Sequence, residues 1–270
     1  MIERLSDILI VSDIDGTLLR EKDGLSEKNR KAILDFTAKG GHFTVATGRA
    51  IDVTRNLLDE LSVNAPSIHI NGGYLYDWDK DEISFPHFIS LNAKEYCQKI
   101  IERFPFCDCH FAGETGVNIL TSGNVLKKYL FHSDYCFFEG GFAKIPDYVY
   151  KYIITCEPKD MVSVRSFAEE ICGDDIQLLN SSPYYLEILP VDNSKENALK
   201  QLCQITKFSL KQIVAVGDYE NDIGMIQMAG IGAAVENAQD AVKKVADIVL
   251  PPCEADALYH LISFLEEIYG

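Results

Sequence analysis

Ile8-Leu9-Ile10-Val11-Ser12-Asp13-Ile14-Asp15-Gly16-Thr17-Leu18-Leu19 is the stretch that decides the fold. The apolar run from Ile8 to Val11 is short, unbroken and rich in β-branched residues. That is the pattern of a strand buried on both faces. The run climbs into two aspartates, and Gly16 then ends the extended segment in a turn. Residues two apart on extended backbone point to the same side, so Asp13 and Asp15 are expected to face one reaction centre. Two carboxylates side by side repel, and a cation between or beside them relieves that cost. Solvated acids at the end of a buried strand account for the same letters, and the stretch alone leaves both readings open.

Outward from it, the chain alternates. Ser26 reads as an N-cap, and Ala32, Ile33 and Phe36 form a helical stripe that stops at Gly40-Gly41. His42 to Ala46 reads as a strand ending at Thr47-Gly48-Arg49. A helix with Val53, Leu57, Leu58 and Leu61 on one face follows. Ser67 to Ile70 reads as a third strand, ending at Asn71-Gly72-Gly73. Strands alternating with helices across short joints predict a parallel sheet. The pattern resumes late in the chain. Ala198, Leu199, Leu202 and Ile205 form a helical face. Ile213 to Val216, Ile231 to Val235 and Ile248 to Leu250 read as strands, and Leu258, Leu261, Ile262, Leu265 and Ile268 mark a closing helix.

Between these halves the texture changes. Tyr74 to Phe85 reads as a hairpin. Eighteen of the 28 aromatic residues, and six of the eight cysteines, fall between Asp81 and Glu187. The expected division is a core domain from residues 1–84 and 188–270 and an inserted α+β domain over 85–187. Helices are predicted over Leu91–Phe104 and Lys159–Cys172. Strands are predicted over Asp108–Phe111, Lys151–Cys156, Ile176–Leu179 and Tyr185–Leu189. The segment Gly113–Tyr148 gives no clear pattern.

Bulk properties exclude some partners. The 270 residues carry a net charge of −16, which argues against nucleic acid and an anionic membrane. A small phosphorylated substrate remains compatible, because a local cation reverses the field at one site. No apolar run approaches the ~20 residues that span a bilayer. Asp13 interrupts the only early apolar stretch, so no signal peptide is expected. The cysteines lack a disulfide-framework spacing, and a reduced, cytoplasmic setting follows. Cys107, Cys109 and His110 could suggest zinc, but no CxxC pair accompanies them and small buried thiols in a strand explain them better.

Asp13-Ile14-Asp15-Gly16-Thr17 resembles the first motif of the haloacid dehalogenase-like (HAD) phosphohydrolases. Val45-Ala46-Thr47-Gly48-Arg49, then Lys195, then Gly217-Asp218-Tyr219-Glu220-Asn221-Asp222 resemble that family's other motifs, in order. The likeness covers nearly the whole chain and is closest to the Cof-type subfamily with a C2B-type cap. It implies an α/β fold: a Rossmann-like parallel-sheet core with an inserted α+β cap. Asp13, Thr47 and Asp218 each follow an apolar strand, and ligands of open parallel sheets bind at the carboxyl ends of the strands. Four carboxylates, those of Asp13, Asp15, Asp218 and Asp222, are expected to meet there, and such a cluster calls for a hard divalent cation. A calcium loop at Asp218 fails, because its sixth position is Ile223 and its twelfth Ala229.

The resemblance assigns roles residue by residue. Asp13 is implied as nucleophile, forming an aspartyl-phosphate, and Asp15 as acid and then base. Asp13, Asp218 and the Asp15 carbonyl are implied as Mg²⁺ ligands, with Asn221 and Asp222 behind them. Thr47 and Lys195 are implied to bind phosphoryl oxygens. Lys195 sits in Asn193-Ser194-Lys195-Glu196, where Cof-type proteins usually have Lys-Gly, and Glu196 puts the local loop in doubt. Ser194 as an N-cap with a solvated Lys195 is the competing reading. Arg49 contacts substrate or pairs with a nearby acid. Asn71 and Gly72 match the family's Asn-Gly site position, although Asn-Gly-Gly is also plain turn chemistry. Thr17 is expected to shape its loop, and Asn237 resembles Asn221 in type.

The implied function is a Mg²⁺-dependent phosphatase of small phosphorylated metabolites, with sugar phosphates the first class to try. The alternatives are a phosphomutase on the same scaffold and a HAD-like binding or regulatory protein without turnover. Nothing in the sequence fixes the oligomeric state.

Overall fold

The computed structural model describes residues 2–20, 24–113, 116–121 and 136–270. The first part runs β1 (Leu9–Ser12), α1 (Glu27–Ala38), β2 (His42–Val45), α2 (Ile51–Asp59), β3 (Ser67–His69), β4 (Tyr74–Asp77) and β5 (Glu82–Ser84). The middle runs α3 (Asn92–Arg103), β6 (Asp108–Gly113), β7 (Gly116–Ile119), β8 (Cys136–Phe137), β9 (Val149–Thr155), α4 (Pro158–Ile171), β10 (Ile176–Ser182) and β11 (Tyr185–Pro190). The last part runs α5 (Lys195–Ile205), β12 (Ile213–Gly217), α6 (Ile223–Met228), β13 (Ile231–Val235), α7 (Asp240–Lys243), β14 (Ile248–Leu250) and α8 (Ala257–Tyr269).

Two compact units result, Met1–Phe85 with Ser194–Gly270, and Pro86–Asn193. The first holds a parallel sheet in the order β14–β13–β12–β1–β2. β1 and β12 are buried along their whole length, which is why they read as continuous apolar runs. Ser26 Oγ accepts from Asn29 N at 3.0 Å and starts α1. The buried Ala32, Ile33 and Phe36 of α1 join Leu258, Leu261, Ile262 and Leu265 of α8 in one core.

Register places the site. Ser12 pairs with Val45 on one side and Val216 on the other. Asp13 N donates to Val216 O at 2.8 Å, and Ala46 N to Ser12 O at 2.9 Å. The chain therefore leaves β1, β2 and β12 at one sheet edge, and Asp13, Thr47 and Asp218 leave with it.

One expectation needs correction. Ser67 to Ile70 is not a third strand of the parallel sheet. β3 meets β2 only through the bridge Ala46–Ile68 and pairs antiparallel with β4, which pairs with β5. The tight turn over Ile70–Gly73 folds the chain straight back, so β3 pairs along its length with β4 while Ile68 O still accepts from Thr47 N just beyond β2.

In the second unit the sheet order is β8–β7–β6–β9–β11–β10, and all its pairs are antiparallel except β7 with β8. Ala93, Cys97 and Ile100 of α3 and Met161, Val164 and Ala168 of α4 pack with Cys109, Phe111, Tyr152, Ile154, Leu186 and Ile188. The described cysteines are free thiols, and four of them fill this core. β11 stays in register with β10 as far as Pro190, so the unit runs on past Glu187 to Asn193. Of the unparsed Gly113–Tyr148, β7 and β8 are described, and residues 114–115 and 122–135 lie outside the described residues. Among the described residues no helix is long and apolar enough to cross a membrane.

Leu261 is fully buried in the core of the first unit. Leu261→Ala should lower stability by about 2–5 kcal/mol, read as a shift in the urea midpoint. A shift too small to measure would mean that α8 contributes little to this core.

Candidate active site

Lys195 opens α5. Ser194 Oγ accepts from Asn197 N at 3.1 Å, so Ser194 is the helix cap. Lys195 is nonetheless fully buried, and its Nζ donates to Asp13 Oδ1 at 2.6 Å and Asp222 Oδ1 at 2.7 Å. The cap expected at Ser194 is therefore present, but the solvated Lys195 expected with it is corrected, because the cap is backbone geometry and the side chain turns inward to Asp13 and Asp222. Glu196 does not disturb the loop. It pairs with Lys200 at 2.9 Å, and a Cβ on Gly224 would lie 2.6 Å from Glu196 Oε2, so Gly224 leaves it room. Gly72, at φ +105°, abuts the same helix start. A Cβ there would lie 2.3 Å from Ser194 O.

Each acid can be followed to its partners. Asp222 is fully buried; Oδ1 takes Lys195, and Oδ2 accepts from Asp218 N and Tyr219 N, both at 3.0 Å. Asp218 Oδ1 accepts from Thr17 Oγ1 at 3.0 Å. Asp15 is different. Both its oxygens accept from Arg49, with Nε–Oδ2 at 2.8 Å, and its side chain is 58% exposed. The acids that converge are Asp13, Asp218 and Asp222, with one oxygen of each within 4.8 Å of the others. The expected fourfold meeting is thus corrected to three. β1 ends at Ser12, and Leu18 N and Leu19 N both turn back to Ile14 O. Strand alternation no longer governs where Asp15 points.

In the cluster of Asp13, Asp218 and Asp222, two carboxylate oxygens, Asp13 Oδ2 and Asp218 Oδ2, accept no hydrogen bond from the described residues. Gly16, at φ +81°, makes space there, since a Cβ would lie 2.6 Å from Asp218 Oδ2. Burial pushes Asp13 well above the ordinary carboxylate range; the Lys195 charge pulls it back, and Asp222, Asp218 and Asp15 push it up again. Burial, aided by Asp222, lifts Asp218 to about 6 against Thr17 and Lys195. Burial alone would lower Lys195, but the two carboxylates in contact outweigh it and hold the ammonium above its ordinary value. Three carboxylates thus face one ammonium. The shortfall is two positive charges, beside two open hard oxygens, and a divalent cation fits that donor set.

The remaining expected residues gather around this centre. Thr47 is buried, its Oγ1 accepts from Arg49 N at 3.1 Å, and its backbone is stitched to Ile68 O and Asn71 N at 2.9 Å each. Arg49 pairs with an acid, Asp15. Asn71 Oδ1 accepts from Asn221 Nδ2 at 2.9 Å, so these two tie the loops after β3 and β12 together. Asn237 Nδ2 donates to Gly16 O, and its Oδ1 accepts from Cys253 N, both at 2.8 Å, which clamps the turn after Asp15. The sequence reading missed Ser67, His69 and Trp78, which line up behind the Thr47–Arg49 turn. The one available signal was Ser67 and His69 two apart in an otherwise apolar strand.

A family model described as haloacid dehalogenase-like hydrolase matches residues 10–262. The chain is 28% identical over 242 residues to 5-amino-6-(5-phospho-D-ribitylamino)uracil phosphatase YcsE of Bacillus subtilis, covering 89% of this chain and 88% of that one. A crystal structure of a haloacid dehalogenase-like hydrolase from Bacteroides thetaiotaomicron superposes with a TM-score of 0.86 at 25% identity, over 96% of this chain and 99% of that one. The HAD subclass IIB sugar phosphatase BT4131 shares the fold, with a TM-score of 0.77 at 19% identity over 96% and 99% of the two chains.

The folded state raises Asp218 from its ordinary 3.8 to about 6, so between those values the folded protein binds more protons than the unfolded chain. Stability from this group therefore falls as pH rises from about 4 to 6 when no metal is present. In chelator, Asp218→Asn should melt higher than wild type at pH 7.5 and lose that advantage at pH 4.5. Excess Mg²⁺ should raise the melting temperature of wild type at pH 7.5 and leave the variant nearly unmoved. Equal melting at both pH values would show that Asp218 carries no excess charge.

Proposed function

This chain belongs to the haloacid dehalogenase-like hydrolases, and we propose that it is a Mg²⁺-dependent phosphatase that hydrolyses small phosphorylated metabolites, sugar phosphates first among them. What supports this is Asp13: one oxygen is held by the buried Lys195 and the other is open. An anchored carboxylate with one free lone pair is what in-line attack on phosphorus needs. Asp13, Asp218 and the Asp15 carbonyl would hold Mg²⁺, which would supply the positive charge that offsets repulsion between a carboxylate and a phosphoryl dianion.

The chain's own residues do the rest. Asp13 Oδ2 forms the new bond to phosphorus as the bond to the leaving oxygen breaks, and Asp15 gives that oxygen a proton. Arg49 grips both oxygens of Asp15, so Asp15 exchanges at least one of those bonds to hold the proton. Asp15 then takes a proton from water, which attacks the aspartyl-phosphate and returns Asp13 and inorganic phosphate. Thr47 Oγ1 accepts from Arg49 N and has its own proton to give a phosphoryl oxygen, and the Lys195 ammonium supplies charge beside it. Asn71 and Asn221 tie the loops after β3 and β12 to one another. Choice among metabolites is assigned to the second unit.

A phosphate-release screen over a metabolite panel tests the reading. It should include 5-amino-6-(5-phospho-D-ribitylamino)uracil, for which a relative is named. Release should need Mg²⁺ and stop in EDTA; full activity in chelator overturns the metal's part. Asp13→Asn should be inactive on every substrate. Asp15→Asn should still be phosphorylated by p-nitrophenyl phosphate, whose leaving group needs no proton, and then stall. Its loss on sugar phosphates should be about 10²–10⁴-fold. If p-nitrophenyl phosphate gives no burst in a folded Asp15→Asn protein, the acid/base assignment is wrong.

A further inference from the structure

Behind the Thr47–Arg49 turn runs a chain of hydrogen bonds that the chemistry above does not use. Trp78 Nε1 donates to Ser67 Oγ at 3.0 Å, and Ser67 Oγ lies 2.7 Å from His69 Nε2. His69 Nδ1 lies 3.2 Å from the Arg49 carbonyl. His69 is fully buried, stacked on Tyr74 with centroids 5.4 Å apart and met edge-on by Tyr76 at 6.4 Å. The Tyr74 hydroxyl accepts from Ile51 N at 2.9 Å, so the ring behind His69 also holds the start of α2, two residues after Arg49.

The atom types give this chain one direction. An indole N–H only donates, and a carbonyl only accepts. Ser67 Oγ accepts from Trp78, so its own proton goes to His69 Nε2. His69 keeps its proton on Nδ1 and donates it to Arg49 O. Burial, more than the opposing bond to Arg49, brings the imidazole down to about 4, and it is neutral as the chain requires. Arg49 O takes a second donor, Ile70 N at 3.2 Å. Ile70 and Asn71 stand at φ 54° and 56°, a left-handed pair in which a β-branched residue is unusual. A backbone kept in that state at a site marks a position the surroundings over-determine. The other end of Arg49 forks onto Asp15.

We propose that His69 is a positioning residue: through the Arg49 carbonyl it fixes the Thr47–Arg49 turn, and so fixes the guanidinium that orients Asp15 for proton transfer. This rests on the reading of Asp15 as acid and base. A histidine that only fills the core would support all substrates alike. One that acts on Asp15 matters most where the leaving group needs a proton.

His69→Leu removes both hydrogen bonds, whereas His69→Asn keeps an amide N–H near the Nδ1 position. Turnover is measured on a sugar phosphate and on p-nitrophenyl phosphate. The ratio of the two kcat values, sugar over aryl, should fall about tenfold or more in His69→Leu. His69→Asn should restore most of it, with KM moved less than kcat. An equal loss on both substrates, or an Asn variant no better than Leu, overturns the proposal. Because His69→Leu could fail to fold, imidazole ¹⁵N shifts of the wild-type protein are read as well. A pyrrole-type Nδ1 and a pyridine-type Nε2 at pH 7 are expected; the opposite tautomer, or an imidazolium, overturns it. Wild type inactive on both phosphates would instead refute the phosphatase reading, and the tautomer would still report on the chain.

Discussion

A lysine with no solvent exposure is the constraint on which the rest depends. Moving an ammonium out of water costs several kcal/mol even after relaxation, and only carboxylates in contact offset it. Lys195 finds Asp13 and Asp222, which lie 182 and 27 residues away in the chain. Parallel strands bring their ends to one sheet edge, yet that delivers only backbone. The lysine selects which side chains meet there. Asp222 extends the lock, because its second oxygen binds the N–H groups of Asp218 and Tyr219. One ammonium thereby holds the end of β1, the start of α5 and the loop after β12. It does not neutralise them, and the remaining negative charge suits the centre to a cation.

The turn after β3 is the second hub, and it works by shape instead of charge. Asn71 N reaches Thr47 O, Asn71 Oδ1 reaches Asn221, and Gly72 lies against Ser194. Three site segments thus touch one four-residue turn, and its left-handed Ile70 and Asn71 are the strain of meeting all of them. The same turn sends β3 back into β4, so the correction to the sheet and the geometry of the site have one cause.

Much of this was legible. Each apolar run that ended in a polar motif proved to be a strand ending at the site, and the burial of β1 and β12 on both faces explains why their runs are unbroken. The composition shift near Asp81 marked the second unit because its core is built from aromatics and thiols. What escaped detection was tertiary. Periodicity cannot show which sheet accepts β3, since three residues carry too few letters to tell a parallel partner from an antiparallel one. Nor does it apply past Ser12, where the backbone curls and Asp15 leaves the face of Asp13. His69 was invisible as a site residue because its partners, a serine hydroxyl, a tryptophan and a backbone carbonyl, are ordinary in any chain. Gly224, which makes room for Glu196, is 28 residues away from it, and only the fold joins them.

Asp13 and Asp15 are two residues apart and chemically identical, so any difference between them is made by the structure. Asp13 is 7% exposed and held at one oxygen by an ammonium that nothing else can displace from burial. Its carboxylate cannot turn, and its free oxygen has one direction. Asp15 is mostly exposed and gripped by a guanidinium that is itself only 22% exposed. That grip fixes orientation, yet it is made at the surface, where hydrogen bonds exchange with water at little cost. A nucleophile needs a fixed lone pair, whereas a proton carrier needs bonds it can make and break. Burial supplies the first and exposure the second. The division of labour proposed for the two aspartates therefore rests on where β1 stops, one residue before Asp13, and not on the identity of either side chain.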